Sequence, residues 1–341
     1  MTHRLPRRAI LAAPALLPFA RAKAQSLSPQ LADLYERAKA DREVTIWGPG
    51  ATTIGWIPAE FAKRFPDVKV SFLGSEQAGA RFITESRAGR NVVDVWSFSL
   101  GGTLDVQRRG LLQAIDWRAF GAEPDGIFFD GEAAAVNNHV STPIFARNRL
   151  DADSLSRRYD ALLDPAWTDK MVASSFLLPR MAAYLAIEWG IDAAERWMRE
   201  LIDQRRTLVS SAPVSDILFS GERQLAVAES VGAARRMSSA GFNVGYRIME
   251  IVPASQFVIS VTRRAPHPNA ARLLVAWLLT PEAKALYDRL AGLPDIRFDP
   301  ESPVAQEIRA AGSKVIYENV ETMAPRADYY RRLSTIARGQ G

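Results

Sequence analysis

The sequence contains no cysteine. This absence excludes disulfides, thiolate metal sites, cysteine nucleophiles and an N-terminal lipid anchor. Histidine is also scarce, since only His139 and His267 lie beyond the first 24 residues. No His-Glu-x-x-His or Gly-x-Ser-x-Gly motif occurs. Two isolated histidines make neither a metal site nor a catalytic triad, so we predict a protein without catalytic residues, a bound metal or a cofactor.

The glycine-rich stretch "VTIWGPGATTIGW" lacks the residues that a nucleotide loop needs. A P-loop would carry a lysine, which is missing, and a dinucleotide loop would carry a third glycine where Thr53 stands. A strand end, a glycine turn and hydroxyls at a helix start remain. Free backbone N–H groups there favour a small anion or polar group, with Thr52 or Thr53 in contact with it. The alternative is that one threonine only caps the next helix.

An excess of basic charge outside the first 24 residues is also missing. Setting aside the five cations of that segment leaves 38 basic and 38 acidic side chains, so the remainder of the chain has no net charge. We therefore expect no nucleic-acid partner.

Residues 1–24 have the features of a cleavable signal peptide. A basic start precedes an apolar core, Ala9–Ala20, and small residues follow it, which predicts cleavage before Gln25. The core is about half the length that spans a bilayer, so a retained membrane helix is the weaker interpretation. The pair Arg7 and Arg8 resembles the twin-arginine export motif, although its flanking serine and phenylalanine are missing. Either export route predicts a periplasmic protein.

Apolar strand-like runs alternate with amphipathic helical runs in two successive regions, which predicts an α/β fold with largely parallel sheets. Examples are the strands "EVTIW" and "VVDVWSF" before the middle of the chain, and "KMVASS" and "QLAVAES" after it. Helices are predicted for "SPQLADLYERAKADRE", "RRYDALL" and "DYYRRLSTIARG", among others. No Gly/Ser linker separates the two regions. We therefore expect the chain to cross between them on two extended segments, "NHVSTPIFARN" and "VPASQFVIS".

Several predicted strands end in hydroxyl side chains. These are Ser97 and Ser99, then Ser175, then Ser210 and Ser211. Ligands of open α/β sheets bind beyond the carboxyl ends of strands, so these side chains are candidates for one shared cleft. Each serine could instead be a helix cap, and the repetition of the pattern is the stronger signal.

Two charged residues are further candidates. Arg180 begins the helix after "MVASS", and its guanidinium is suited to a carboxylate or phosphonate. Glu229 ends the strand "QLAVAES" and could hold a ligand ammonium or pair with Arg180. The alternative for both is an ordinary surface charge.

Three segments carry a resemblance to a known family: "YDALLDPAWTDKMV", "SGERQLAVAES" and "RRAPHPNAARLLVAWLLTPEAKAL". Together with "VTIW" and "YYRRLSTIAR" they resemble the family 1 extracellular solute-binding proteins of ABC transporters, in the branch that includes ferric iron, thiamine, polyamine and phosphonate binders. The resemblance covers nearly the whole chain after residue 24.

This resemblance implies a two-lobed type II periplasmic-binding-protein fold whose lobes close on a ligand by bending at two crossover hinges. Lobe 1 would comprise residues 25–142 and 256–341, with the terminal helix packed on either lobe, and lobe 2 residues 143–255. The opening loop, Ser97 and Ser99 would line one wall, and Ser175, Arg180, Ser210 and Ser211 the other. The implied partners are a small-molecule ligand and an inner-membrane permease, and the implied state is a monomer.

One feature of the ferric-binding members is missing. They share an adjacent tyrosine pair shortly after the Gly-Glu-led strand, where this chain reads Glu229-Ser230-Val231-Gly232. The only adjacent tyrosines, Tyr329 and Tyr330, lie near the end of the chain. We therefore expect a small polar or anionic organic ligand. A ferric or metal-chelate binder and an exported α/β enzyme are the alternatives.

Overall fold

A computed structural model describes residues 27–74 and 78–339. The predicted signal peptide lies outside the described residues. In the first region, strands and helices alternate as predicted. The strands are β1 (Glu43–Gly48), β2 (Lys69–Gly74) and β3 (Val95–Ser99), and the helices are α1 (Pro29–Ala38), α2 (Ala51–Ile54), α3 (Ile57–Arg64), α4 (Ala78–Arg87) and α5 (Leu100–Arg108).

Helix α1 begins where its sequence predicts. The Ser28 hydroxyl accepts a hydrogen bond from the Leu31 amide at 3.2 Å, and Pro29 occupies the first turn. Leu34 and Ala38, at helical spacing, are buried against the first hydrophobic core.

Three short 3₁₀ turns and strand β4 (Ile127–Phe128) lead into β5 (Ala133–Ala146), a strand of 14 residues. The second region then repeats the alternation. Its elements are β6 (Met171–Ser174), α6 (Leu177–Trp189), α7 (Ile191–Arg199), β7 (Leu208–Ser210), α8 (Val214–Ser220), β8 (Leu225–Ser230), α9 (Val231–Ser239) and β9 (Val244–Tyr246).

A second long strand, β10 (Ile251–Val261), follows and pairs with β5. The chain then forms mainly helices. They are α10 (Pro268–Leu278), α11 (Pro281–Leu286), α12 (Pro303–Ala310) and α13 (Val320–Ala337), with β11 (Lys314–Tyr317) before the last.

Strands β5 and β10 belong to both halves of the sheet. The strand order is β2-β1-β3-β10-β5-β8-β6-β7, with β11 beside β10 and β4 and β9 beside β5. On one side β10 pairs antiparallel with β3, and on the other β5 pairs antiparallel with β8. These two strands contain the segments predicted to cross between the regions.

Two large hydrophobic cores lie on either side of the crossing strands. The first packs α1, α3, α10 and α11 against β1, and its largest buried side chains are Trp117 and Trp277. The second packs α6 and α7 against β6 and β8 and contains Tyr159 and Trp197. Helix α13 contributes to more than one core, since Met323 packs beside Leu100 while Leu333 lies in the second core.

One predicted helix is wrong. The segment "RRYDALL" forms only a 3₁₀ turn, Asp160–Leu163. The Tyr159 amide donates to the Glu250 carboxylate at 3.0 Å, and the Trp197 indole donates to the Tyr159 carbonyl at 3.0 Å. Distant groups therefore hold both backbone positions of Tyr159, and its carbonyl also accepts the Leu162 amide at 3.2 Å, which is the bond of a 3₁₀ turn rather than of an α-helix.

In the part of the chain that the structure describes, every helix is too short or too polar to cross a membrane.

A buried ion pair joins α13 to the start of α5. Glu318 is fully buried, pairs with Arg326 of α13, and accepts a hydrogen bond from the Gly101 amide at 3.2 Å. Its carboxylate therefore also neutralises the positive end of α5. Arg326 lies over the Tyr184 ring of α6, with its Cζ 4.9 Å from the ring centroid. The pair thus connects α5 with α13 and with α6 of the second core.

We expect Glu318→Ala to lower the free energy of unfolding by about 3 to 5 kcal/mol, because it leaves the Arg326 guanidinium buried without its counter-charge. Urea denaturation at neutral pH measures this loss. Glu321→Ala is the matched control, since Glu321 lies exposed in the first turn of α13. An equal effect of both substitutions would contradict the role given to the ion pair.

Candidate ligand-binding site

The strand register brings the carboxyl ends of the strands from both regions to the crossing strands. Ser99, at the end of β3, lies opposite Phe257 of β10, which lies opposite Asn137 of β5. Glu229, near the end of β8, lies opposite Thr142 of β5. From Asn137 to Thr142 the strand rises about 16 Å. The two sets of strand ends therefore face each other across a short stretch of β5, where ligands of such sheets bind.

The glycine-rich loop after β1 is shaped by close packing. A Cβ atom on Gly48 would lie 2.7 Å from the Ile54 side chain, and one on Gly74 would lie 2.9 Å from the Gly50 backbone. Helix α2 begins after Gly50 without a side-chain cap, so neither threonine has the capping role that was the alternative. Thr52 is exposed and Thr53 half-buried. Both hydroxyls remain candidates for ligand contact.

Most strand-end serines satisfy backbone groups next to them. The Ser99 hydroxyl accepts from the Gly102 amide at 3.2 Å and caps α5. The Ser210 hydroxyl accepts from the Ala212 amide at 3.0 Å. Ser230, which was not predicted, caps α9 in the same way. Ser99 therefore fills the helix-capping role that the sequence left open, whereas Ser210 closes a turn, because α8 has no side-chain cap. The Ser99 hydroxyl still has a proton to donate, but the Ser210 hydroxyl donates to the Ala212 carbonyl at 3.3 Å.

The remaining predicted serines differ in exposure. Ser97 is only 2% exposed, so it lies in the interior of the protein rather than on an open wall. Ser175 is half-buried and Ser211 exposed. The Ser175 amide donates to the Ser210 carbonyl at 2.9 Å, which brings the ends of β6 and β7 together.

Arg180 lies at the crossing strands rather than on the outer surface. Its guanidinium donates to the Ser255 hydroxyl of β10 at 3.1 Å, and the Tyr184 hydroxyl donates to the same oxygen at 2.8 Å. The Arg180 Cζ is 6.0 Å from the centroid of the exposed Phe176 ring. Arg180 is half-buried, so part of the guanidinium remains open to an anion.

His139 lies directly opposite Ser255 in the β5–β10 pair, so both side chains point to the same face. Desolvation, with the cations Arg180 and Arg236 nearby, lowers the pKa of His139 to about 3. The imidazole is therefore neutral at physiological pH. Its Nδ1 atom is buried, and no described residue hydrogen-bonds to it.

Asn137, two residues before His139 on β5, also has buried polar atoms without a hydrogen-bond partner. It is 1% exposed, and neither its amide nitrogen nor its amide oxygen has a hydrogen-bond partner among the described residues. Buried polar side chains are nearly always hydrogen-bonded. Together, Asn137 and His139 leave unmet donors and acceptors next to Arg180.

Glu229 is 9% exposed, and burial raises its pKa to about 7, while the cation Arg236 partly offsets the effect. Arg236 donates to the Ala291 carbonyl at 2.6 Å. The cation that acts on Glu229 is thus Arg236, whereas Arg180 is bound to Ser255. The suggested pairing of Glu229 with Arg180 is not present.

Sequence reasoning missed four residues of this cluster: Asn137, Tyr184, Arg236 and Ser255. Two of them carried a usable signal. Asn137 and Ser255 begin short polar runs, Asn137-Asn138-His139 and Ser255-Gln256, inside long predicted strands, and buried polar residues in a strand favour a functional role over a packing role. Tyr184 and Arg236 lie on helices whose orientation the sequence does not fix.

The segment that stands in place of the tyrosine pair of ferric-binding proteins is tightly packed. A Cβ atom on Gly232 would lie 2.3 Å from the Gly292 carbonyl oxygen, so no larger side chain fits there in this arrangement of the chain. Tyr330 instead packs on Phe176, with ring centroids 6.1 Å apart. Within residues 27–74 and 78–339, no group of three histidine, aspartate or glutamate side chains could hold a metal ion.

We expect Glu229→Gln to change how stability depends on pH. The pKa of Glu229 is about 7 in the folded protein and 4.5 ordinarily, so between these values the folded state binds more protons and stability falls as pH rises. The full loss corresponds to about 3 kcal/mol. The variant should therefore equal the parent at pH 4.5 and be more stable by up to that amount at pH 8.

His139→Gln should have the opposite effect. The pKa of His139 is about 3 in the folded protein and 6.5 ordinarily, so stability is present above pH 6.5 and falls as pH falls towards 3. The variant should resist acid better than the parent.

Urea denaturation from pH 4 to pH 8 measures both effects, with Glu321→Gln as an exposed control. If the free energy of unfolding changes with pH in the Glu229 and His139 variants as it does in the parent, these two groups are hydrated in the folded protein.

Three comparisons with known proteins bear on the fold. No family model matches the chain, and no curated protein matches it. Solved structures do. Iron-bound HitA from Pseudomonas aeruginosa is 16% identical, with a TM-score of 0.67 over 88% of this chain and 99% of that one.

Two further solved structures match over similar lengths. A substrate-binding protein of an ABC transporter from Agrobacterium tumefaciens is 13% identical, with a TM-score of 0.73 over 87% of this chain and 94% of that one. The Trichodesmium protein IdiA (FutA), in complex with iron and citrate, is 14% identical, with a TM-score of 0.67 over 88% and 99%. The predicted α/β class is confirmed: the chain has the two-lobed fold of periplasmic substrate-binding proteins.

Proposed function

We propose that the protein is a periplasmic receptor of an ABC importer that captures a small organic anion, of the carboxylate or phosphonate type, between its two lobes and delivers it to an inner-membrane permease. The observation that carries this proposal is the polar cluster at the β5–β10 crossing. Arg180, His139 and Asn137 lie together there, at the point where the strand ends of both lobes meet.

The chemistry of the cluster favours an anion. Two cations, Arg180 and Arg236, act on a histidine that is itself neutral. A guanidinium presents paired donors to a carboxylate or phosphonate, and the Asn137 amide and the His139 ring can hydrogen-bond to further polar groups of the ligand. Thr52, Thr53 and Ser99 supply hydroxyls from the first lobe, and Ser175, Ser210 and Ser211 from the second.

The lobe division follows the crossing strands. Residues 25–142 and 256–341 form lobe 1, and residues 143–255 form lobe 2, with the end of α13 packed on lobe 2. Opening would separate the Arg235–Asp288 ion pair and the contact of Gly232 with Gly292, which lie between the two parts. Ligand binding would favour the closed form by hinge bending, and the receptor acts as a monomer exported by the signal peptide of residues 1–24.

A catalytic role is disfavoured by the same cluster. An exported enzyme would need an acid and a base near the ligand, and the low pKa of His139, about 3, makes its imidazole a weak base at neutral pH. A ferric chelate is the second candidate ligand, because the Pseudomonas and Trichodesmium proteins are described with bound iron.

The first experiment is a thermal-shift screen of the mature chain against carboxylates, phosphonates, amino acids, sugars, polyamines, ferric salts and ferric citrate. A ligand at a hundred times its dissociation constant should add about 2.7 kcal/mol to the free energy of unfolding, which raises Tm by several degrees. We expect an organic anion to do so, and Arg180→Gln to abolish the shift.

Arg331→Gln is the matched control, since Arg331 is an exposed arginine of α13. It should leave the shift unchanged. If only ferric salts or ferric citrate raise Tm, the ligand is iron or a ferric chelate and not an organic anion. Equal shifts in the parent and in Arg180→Gln would remove Arg180 from the site, and turnover of any compound that binds would contradict the receptor function.

A further inference from the structure

A second cavity lies in lobe 1, at the end of the sheet away from the hinge. Its volume is about 440 Å³, and it is bordered by the ends of α4 and α5 and by the turn after β10. Thr262, in its wall, follows Val261, which pairs with Val95 at the first residue of β3. The cavity is thus at the amino end of β3, opposite the end that carries Ser99.

Four arginines border this cavity: Arg87, Arg109, Arg263 and Arg264. All four are exposed. Only Arg263 has a counter-charge, Glu132, at 3.3 Å. Within the described part of the chain, the other three take part in no ion pair or hydrogen bond through their side chains. Four cations around one cavity with a single carboxylate create a locally positive surface, although basic and acidic side chains are equal in number after residue 24.

The position of these arginines is only partly explained by local structure. Arg87 and Arg109 lie at the ends of α4 and α5, where a basic residue interacts favourably with the helix dipole. Arg264 lies in the turn before α10, where no helix end accounts for it. The fold therefore brings cations from three separate segments to one place.

The floor of the cavity is apolar. Phe82, Ile83 and Leu111 contribute to the lining, and Phe82 stacks on Trp96 with ring centroids 5.4 Å apart. Ser86, Asn91 and Thr262 add uncharged polar groups. An apolar floor inside a cationic rim matches a ligand with an anionic head and an apolar body.

We propose that this cavity is a binding site for an anionic amphiphile, in which a phosphate or carboxylate head is bound by the arginines and an apolar chain or ring lies on Phe82, Ile83 and Leu111. A free amphiphile and an anionic phospholipid share this chemistry. The site is separate from the hinge cluster, and it does not depend on the ligand proposed there.

The test is isothermal titration of the mature chain with octyl phosphate below its micelle concentration. Inorganic phosphate tests the head alone, and octyl glucoside tests the apolar chain alone. We expect octyl phosphate to bind at least about tenfold more tightly than either, because charge-assisted hydrogen bonds and buried methylenes both contribute. Equal binding of inorganic phosphate or of octyl glucoside would overturn the proposal, and so would no binding of octyl phosphate.

The variant Arg109→Gln/Arg264→Gln removes two unpaired cations without altering the apolar floor. It should weaken octyl phosphate binding at least about tenfold. The matched control is Arg118→Gln/Arg331→Gln, which removes two exposed arginines elsewhere and should bind like the parent. Because the exchanged side chains are exposed, all variants should stay folded, and the lost interaction of Arg109 with the dipole of α5 should lower Tm only slightly. Unchanged binding in the first variant would overturn the proposal.

Flotation with vesicles of phosphatidylglycerol and phosphatidylcholine, against phosphatidylcholine alone, separates the two sources. If the parent floats with the anionic vesicles and Arg109→Gln/Arg264→Gln does not, the site binds a membrane lipid. If octyl phosphate binds but the parent does not float, the site binds a free amphiphile. Arg180→Gln should leave both measurements unchanged, so failure of the hinge site is distinguishable from failure of this one. Loss of octyl phosphate binding in Arg180→Gln would overturn the separation.

Discussion

The pairing of β5 with β10 is the constraint on which the rest of the structure depends. A hydrogen-bond network of side-chain amides joins the two strands. The Asn138 side chain donates to the Gln256 side chain at 3.2 Å, and Gln256 donates to the Asn137 carbonyl at 3.0 Å. The Asn138 side chain also accepts from the Ile296 amide at 3.0 Å. Because this pair belongs to both halves of the sheet, its register decides which strand ends meet. A shift of one residue would turn the His139 side chain away from Ser255.

Buried charge and helix ends are satisfied mostly by groups within the chain. Glu318 binds the start of α5, and Asp41 accepts from the Asn269 and Ala270 amides at the start of α10, at 2.8 and 2.9 Å. Serines cap α5 and α9. Other buried side chains also have a single unpaired polar atom, but among the described residues only Asn137 has two, and the unpaired Nδ1 of His139 lies two residues further along β5. A side chain that the fold leaves unsatisfied in its interior is best explained by a ligand or by water.

The sequence predicted the class of the fold because alternating apolar runs and helix caps are local signals. It also predicted where the chain crosses, since no Gly/Ser linker separates the two regions and an extended segment lies at each crossing. It could not predict the register of β5 on β10, and therefore not the contact of Arg180 with Ser255, because residues distant in sequence decide both. The helix expected at "RRYDALL" failed for the same reason, as Glu250 and Trp197 bind the Tyr159 backbone. The capping role of the serines was left open because helix capping and ligand binding use the same hydroxyl.

The central claim is that the two lobes close on a ligand at the crossing strands, and the distance between the lobes tests it most directly. The chain has no cysteine, so the double variant Ala59→Cys/Glu222→Cys would carry one spin label on lobe 1 and one on lobe 2. Both positions are exposed. Pulsed electron spin resonance should give a longer or broader distance distribution without ligand, and a single shorter distance with a ligand that raises Tm. The same distribution with and without a saturating ligand would contradict the account.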